Sequence, residues 1–138
     1  MVDRRSSPSA VQRAPRLLIV EDELLIALII EEMARDIGYR VSGIAHTVPL
    51  ARKEFAKHNF DAVLLDISFD GQFAFEFADV LREGNVPFAF VTGYDYLVEP
   101  RHELIPVQQK PFTLAQLRAL LVTLVGSVTS KQQIARSA

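Results

Sequence analysis

Three short segments in this chain, "LLIV" (17–20), "NFDAVLLD" (59–66) and "VPFAFVTG" (86–93), each hold an unbroken run of at least four apolar residues. A strand wetted on one face alternates apolar with polar residues, so unbroken runs mark strands covered on both faces, as in parallel sheets. Helical spacing fills the gaps. Ile26, Ile29, Ile30, Met33 and Ile37 share one helical face closed by Gly38, and Leu50, Ala51, Phe55 and Ala56 share another in a helix capped by Thr47 and running through Lys57. Phe73, Phe77, Val80 and Leu81 form a third stripe between turns at Gly71 and Gly84. "YRVSGIA" (39–45) and "ELIPVQQ" (103–109) read as further strands, the latter the weakest. "TLAQ" at 113–116 has the form of a capping box and predicts a last helix to about Val125. Strands alternating with helices predict an α/β domain with a parallel sheet covered on both faces.

The chain has 138 residues, room for one domain, and its 49% hydrophobic content builds a real core. Residues 1–15, with Ser6, Ser7, Pro8, Ser9 and Pro15, are expected to be a flexible arm; 16–126 form the domain and 127–138 a tail. A net charge of -2, with no basic run beyond Arg4 and Arg5, argues against direct nucleic-acid binding. The absence of cysteine removes disulfides, thiolate metal sites and thiol nucleophiles, which suits a cytoplasmic protein. The longest apolar run, Leu24–Ile30, is far short of a membrane span, and the first residues lack the apolar core of a secretory signal.

In sheets of this kind ligands gather outside the carboxyl ends of the strands. The residues found there are Glu21 and Asp22 after the first strand, Asp66 after the third, Thr92 after the fourth and Lys110 just past the fifth. Carboxylates brought this close repel unless a cation intervenes, and an all-oxygen set suits magnesium, whose remaining ligands are commonly water and phosphate oxygens. Thr92 can donate a hydroxyl to a phosphoryl oxygen and Lys110 can place a positive charge on another. Asp66 stands alone at its strand end, so it is the candidate phosphoryl acceptor, with Glu21 and Asp22 left to share the metal.

"VED" at Glu21 and Asp22, "LLLDIS" at Asp66, "FVTG" at Thr92 and "KPF" at Lys110, in order at successive strand ends over residues 16–126, resemble the receiver domain of two-component response regulators. The resemblance implies a flavodoxin-like, doubly wound five-stranded sheet of order 2-1-3-4-5, with a sensor histidine kinase as the phosphoryl donor to Asp66. It also implies magnesium held by Glu21, Asp22, Asp66 and the backbone carbonyl of Ser68. "PFAFVTGYD" resembles the FAT GUY receivers, often stand-alone domains served by kinases of the HWE and related families. Receivers commonly carry an aromatic switch residue three positions before the lysine. Here that position is Val107, and Tyr94 is the candidate to take over part of the task. Pro100 and Pro106 fall between Thr92 and Lys110, so the fourth helix of the receiver pattern is expected to be short or irregular.

Other features have plainer readings. Glu23 is assigned to the helix dipole, and His46, His58 and His102, without paired spacing, to the surface. Leu24 and Leu28 lie opposite the sheet-facing stripe, where a receiver usually keeps polar residues, and are candidates for docking the kinase's helical domain. In the last helix Leu114, Leu117, Leu121 and Leu124 are expected to face inward, with Leu120, Val122 and Val125 left over for a homodimer. The expected function is a single-domain response regulator that accepts a phosphoryl group on Asp66 without turning over an external substrate. Its output is a protein partner or onward phosphotransfer. The alternative is a phosphorylation-independent binding module of the same fold. A magnesium phosphatase is disfavoured because "DIS" (66–68) lacks a second acid two residues on to protonate a leaving group.

Overall fold

The computed structural model describes residues 14–69, 73–93 and 102–137, with side chains of the last helix described as far as Gly126. The strands are β1 (Arg16–Val20), β2 (Arg40–Ala45), β3 (Ala62–Asp66), β4 (Phe88–Thr92) and β5 (Val107–Gln109). The helices are α1 (Leu24–Ile37), α2 (Val48–Lys57), α3 (Phe73–Glu83) and α4 (Leu114–Ser137). All strand pairs are parallel and the sheet order is β2-β1-β3-β4-β5. Strand order reverses between β1 and β3, which opens a crevice at their carboxyl ends.

The three unbroken apolar runs are the three inner strands, buried along their length. Alternate residues split between two cores: Leu18, Val63, Leu65 and Phe90 pack toward α2 and α3, and Leu17, Ile19, Leu64 and Val91 toward α1 and α4. Local rules set the helix ends. Gly38 adopts a left-handed φ of 111° and donates its N–H to Ala34 and Arg35, a turn that a side chain would strain. Thr47 accepts the Leu50 N–H. In the capping box Thr113 Oγ1 accepts from the Gln116 N–H while Gln116 Oε1 accepts from the Thr113 N–H.

Several expected faces shift. The deepest residues of α1 are Ala27, Ile30 and Ala34, because small alanines let the helix approach the sheet, and Ile29 is 53% exposed. Ala56 and Val80 also lie in solvent. In α4 the buried stripe is Leu117, Leu120, Leu121, Leu124 and Val125; Leu114, at the open first turn, is 37% exposed. Only Leu114 and Val122 then remain as exposed large apolar residues among its described side chains. The helix also runs on to Ser137, since nothing at Gly126 stops it. β5 holds just Val107–Gln109: residues 103–105 form a turn in which the Ile105 N–H bonds the His102 carbonyl. The short or irregular fourth helix of the receiver pattern falls largely on residues 94–101, outside those described, as does Gly71.

Candidate functional site

β1 delivers Glu21 to the sheet edge while still hydrogen-bonded: the Glu21 N–H donates to the Ala45 carbonyl at 3.1 Å, and the residue is 1% exposed. Glu21 Oε2 accepts the Glu23 N–H at 3.2 Å and Oε1 accepts the Lys110 ammonium at 2.9 Å. Asp22, one residue on, reaches solvent. β3 ends on Asp66, 2% exposed, whose Oδ1 accepts both the N–H and the hydroxyl of Ser68, at 3.0 and 2.9 Å. Its Oδ2 accepts no hydrogen bond and has Lys110 Nζ at 3.5 Å. β4 ends on the buried Thr92, whose carbonyl accepts the Lys110 N–H, so the β4–β5 ladder itself sets where the lysine starts. The Lys110–Pro111 peptide bond is cis.

Two carboxylates in so dry a place cost free energy, and the electrostatics record it. Burial above all, and the neighbouring Asp66, push the Glu21 carboxyl up to about 7, against the pull of Lys110. Desolvation draws the Lys110 ammonium down, but its bond to Glu21 and the charges of Asp66 and Glu21 outweigh that and leave its pKa above the usual value. Lys110 therefore stays charged and partly neutralises the acids. One oxygen from each of Glu21, Asp22 and Asp66 lies within 4.8 Å of the others. An all-oxygen group of this span, open to water at Asp22, fits a hard divalent cation such as magnesium.

The structure thus brings Glu21, Asp22, Asp66, Thr92 and Lys110, the residues read from strand ends, to one edge, together with Ser68, which entered through the family resemblance. Tyr94 lies outside the described residues. Val107 is paired in register with Phe90 on the edge strand and is 46% exposed. Leu24 and Leu28 are uncovered, at 48% and 46% exposure, and Leu25 joins them at 72%. Beside them a cleft of about 380 Å³ runs from Ile26, Ile29 and Met33 to Phe112, with Ser68 and Lys110 at its polar end. Sequence reasoning missed three things here. The Ser68 hydroxyl bond to Asp66 and the Lys110 bond to Glu21 carry no spacing signal. His102, expected at the surface, is wholly buried against Phe75 and Phe90, a placement that no spacing in the sequence signals. His46 and His58 are exposed, as expected.

No family model matches the chain. The phyllosphere-induced regulator PhyR of Methylorubrum extorquens is 32% identical over 126 residues, covering 88% of this chain and 47% of the relative. The chain thus spans about half the length of that curated relative. Among solved structures it is similar to SdrG of Sphingomonas melonis, at 33% identity and a TM-score of 0.71 over 81% of this chain and 97% of that one. It is also similar to the PhyR response regulator REC domain of Erythrobacter litoralis, at 31% identity and a TM-score of 0.69 over 81% of this chain and 90% of that one. With the sheet order and the converging strand ends, these likenesses establish the family: the chain belongs to the receiver domains of response regulators.

Proposed function

We propose that Asp66 accepts a phosphoryl group from the phosphohistidine of a sensor histidine kinase, and that the chain signals through protein contacts or by passing the group on. One observation carries this reading: Asp66 is buried at the strand-order reversal with Oδ1 held twice by Ser68, while Oδ2 is left without a hydrogen bond beside the Lys110 ammonium. A carboxylate so held presents one defined oxygen. In the transfer Oδ2 attacks phosphorus, the phosphorus–nitrogen bond to the imidazole breaks, and an acyl phosphate forms on Asp66. Lys110 shifts from Glu21 toward the new phosphoryl oxygens, and the Thr92 hydroxyl donates to another. Glu21, Asp22, Asp66 and the Ser68 carbonyl are the residues to hold magnesium, which when bound supplies the positive charge that lets these anions approach a phosphoryl group.

The FAT GUY assignment, a kinase of HWE type, a cytoplasmic location and a switch role for Tyr94 and Val107 belong to the same proposal. So does the division into a receiver at 16–126 with flanking 1–15 and 127–138. Leu24 and Leu28 are the proposed kinase-docking residues, next to the edge that the phosphohistidine must reach. Homodimerisation through α4 has little exposed apolar surface among its described side chains. Among the described residues no helix is long and apolar enough to cross a membrane.

The test is intact-protein mass after incubation with acetyl phosphate and magnesium, for the wild type and Asp66→Ala. Addition of one phosphate to the wild type alone, abolished by EDTA, is expected. A wild type that takes phosphate neither from acetyl phosphate nor from an autophosphorylated kinase, and binds no magnesium, would favour the phosphorylation-independent module, whose support is the exposed apolar side of α1.

A further inference from the structure

β5 is three residues long, and Val107 and Gln109 on it are exposed, so burial of its own side chains cannot hold it in place. Yet Lys110 follows directly, and its ammonium must be placed to a fraction of an ångström to serve Asp66. Before the strand Glu103 is exposed and Leu104 is 91% exposed, while Ile105 and Pro106 are half-buried, Ile105 against the core on the α2 and α3 side of the sheet. Between residues 102 and 109 only His102 is fully buried, with no exposed surface at all.

Two residues of α3, one helical turn apart, receive it. The imidazole lies nearly parallel to the Phe75 ring, at 15° and 6.1 Å between centroids, and Nε2 is 3.1 Å from Asp79 Oδ1. A third contact comes from the sheet, where Phe90 meets the imidazole edge-on at 5.8 Å and 75°. Phe90 is two residues before Thr92, so both side chains point to the same side of β4. Its N–H also bonds the Pro106 carbonyl at the entry to β5. The connection into β5 is therefore tied at one end by the ring of His102 and at the other by the Lys110 N–H to the Thr92 carbonyl.

We propose that His102 is a positioning residue that fastens β5, and with it Lys110, to α3 and to β4. It touches neither the phosphoryl group nor Asp66. The effect on phosphorylation rests on the function proposed above; the anchoring itself does not.

The experiment uses His102→Ala and Asp79→Asn in the full chain, read by residue-resolved amide hydrogen exchange and by the rate of phosphorylation by acetyl phosphate. Asp79, 38% exposed, is the safer site should His102→Ala fail to fold. Faster exchange confined to Val107–Lys110, by about tenfold, with β1 and β3 unchanged, is expected in both variants. A severalfold slower phosphorylation that His102→Phe, which keeps the ring, restores in part is also expected. A merely structural role would raise exchange in all strands alike. Wild-type exchange at Val107–Lys110 in the Asp79→Asn and His102→Ala proteins, or a rise shared by every strand, would overturn the proposal. If exchange rises locally but neither wild type nor variant takes phosphate, the anchor stands and the phosphoacceptor reading is what fails.

Discussion

Within nine residues this chain breaks the usual rule of burial twice, in opposite directions. At Glu21 a carboxylate is 1% exposed, while from Leu24 to Ile29 four large aliphatic residues, Leu24, Leu25, Leu28 and Ile29, are 46 to 72% exposed. Both inversions have a cost. A buried acid must be desolvated, and exposed aliphatic surface forfeits about 25 cal/mol per Å² of burial. Neither is needed to build the sheet, whose inner strands are complete without them. The buried acids are compensated in part from within, by Lys110 and by the Ser68 bonds to Asp66. Nothing among the described residues covers the apolar side of α1. On the function proposed above, a small cation and a phosphoryl group complete the first region and a partner's apolar surface the second.

The sharpest way to break the pairing is to remove the acceptor. Asp66→Ala is expected to abolish phosphorylation completely, by intact mass, while the domain keeps its fold, since one carboxylate less relieves repulsion with Glu21. A variant still labelled would place the acceptor elsewhere. The next effect is thermodynamic. Glu21 titrates at about 7 in the fold against 4.5 as a free side chain. Between those values the folded chain binds more protons than the unfolded one, so its stability falls as pH rises from 4.5 to about 7 and is level above that. The drop amounts to about 3 kcal/mol. Urea unfolding at pH 4.5 and 8 should show it, Glu21→Gln should flatten it, and millimolar magnesium should restore stability at pH 8 far more than at pH 4.5. An unchanged profile in Glu21→Gln would mean that another group carries the titration.

Much of the first region is legible in the sequence, and the reason is positional. Parallel strands announce themselves as unbroken apolar runs, and their carboxyl ends converge by topology, so Glu21, Asp66, Thr92 and Lys110 were placed by counting from strand ends. What failed were features that depend on a few degrees of rotation or on one inward turn. The spacing of Ile29 fits a helical stripe and predicts burial, but Ala27 and Ala34 draw the buried arc to their own side. Leu120 and Val125, spare on the helical stripe of Leu114, Leu117, Leu121 and Leu124, are buried in the structure. His102 carries no periodic signal at all. Its burial depends on Phe75 and Asp79 being one turn apart on α3 and facing the connection into β5, a coincidence that only the packed structure displays.

The second region predicts effects that separate partner from chemistry. Leu28→Lys should slow phosphotransfer from an autophosphorylated sensor kinase by about tenfold, roughly 1.4 kcal/mol, while leaving labelling by acetyl phosphate unchanged. On the proposed reading a small donor needs only the acidic edge, whereas a kinase needs α1 as well. Equal slowing with both donors would mean that Leu28 acts on the site itself, and no slowing with either would detach the apolar patch from the kinase.

The smallest effect is the one that tests whether the exposed side of α1 contributes to the fold at all. Leu25 is 72% exposed, so only about a quarter of the roughly 2 kcal/mol gained on full burial of such a side chain is at stake. Lysine matches leucine in helix propensity and keeps an aliphatic stem, so Leu25→Lys is expected to change unfolding free energy by less than about 0.5 kcal/mol. A loss above about 1.5 kcal/mol would place Leu25 against neighbours that bury it in solution. The apolar side of α1 would then be part of the core, and the contrast between a chemically completed region and a partner-completed one would collapse.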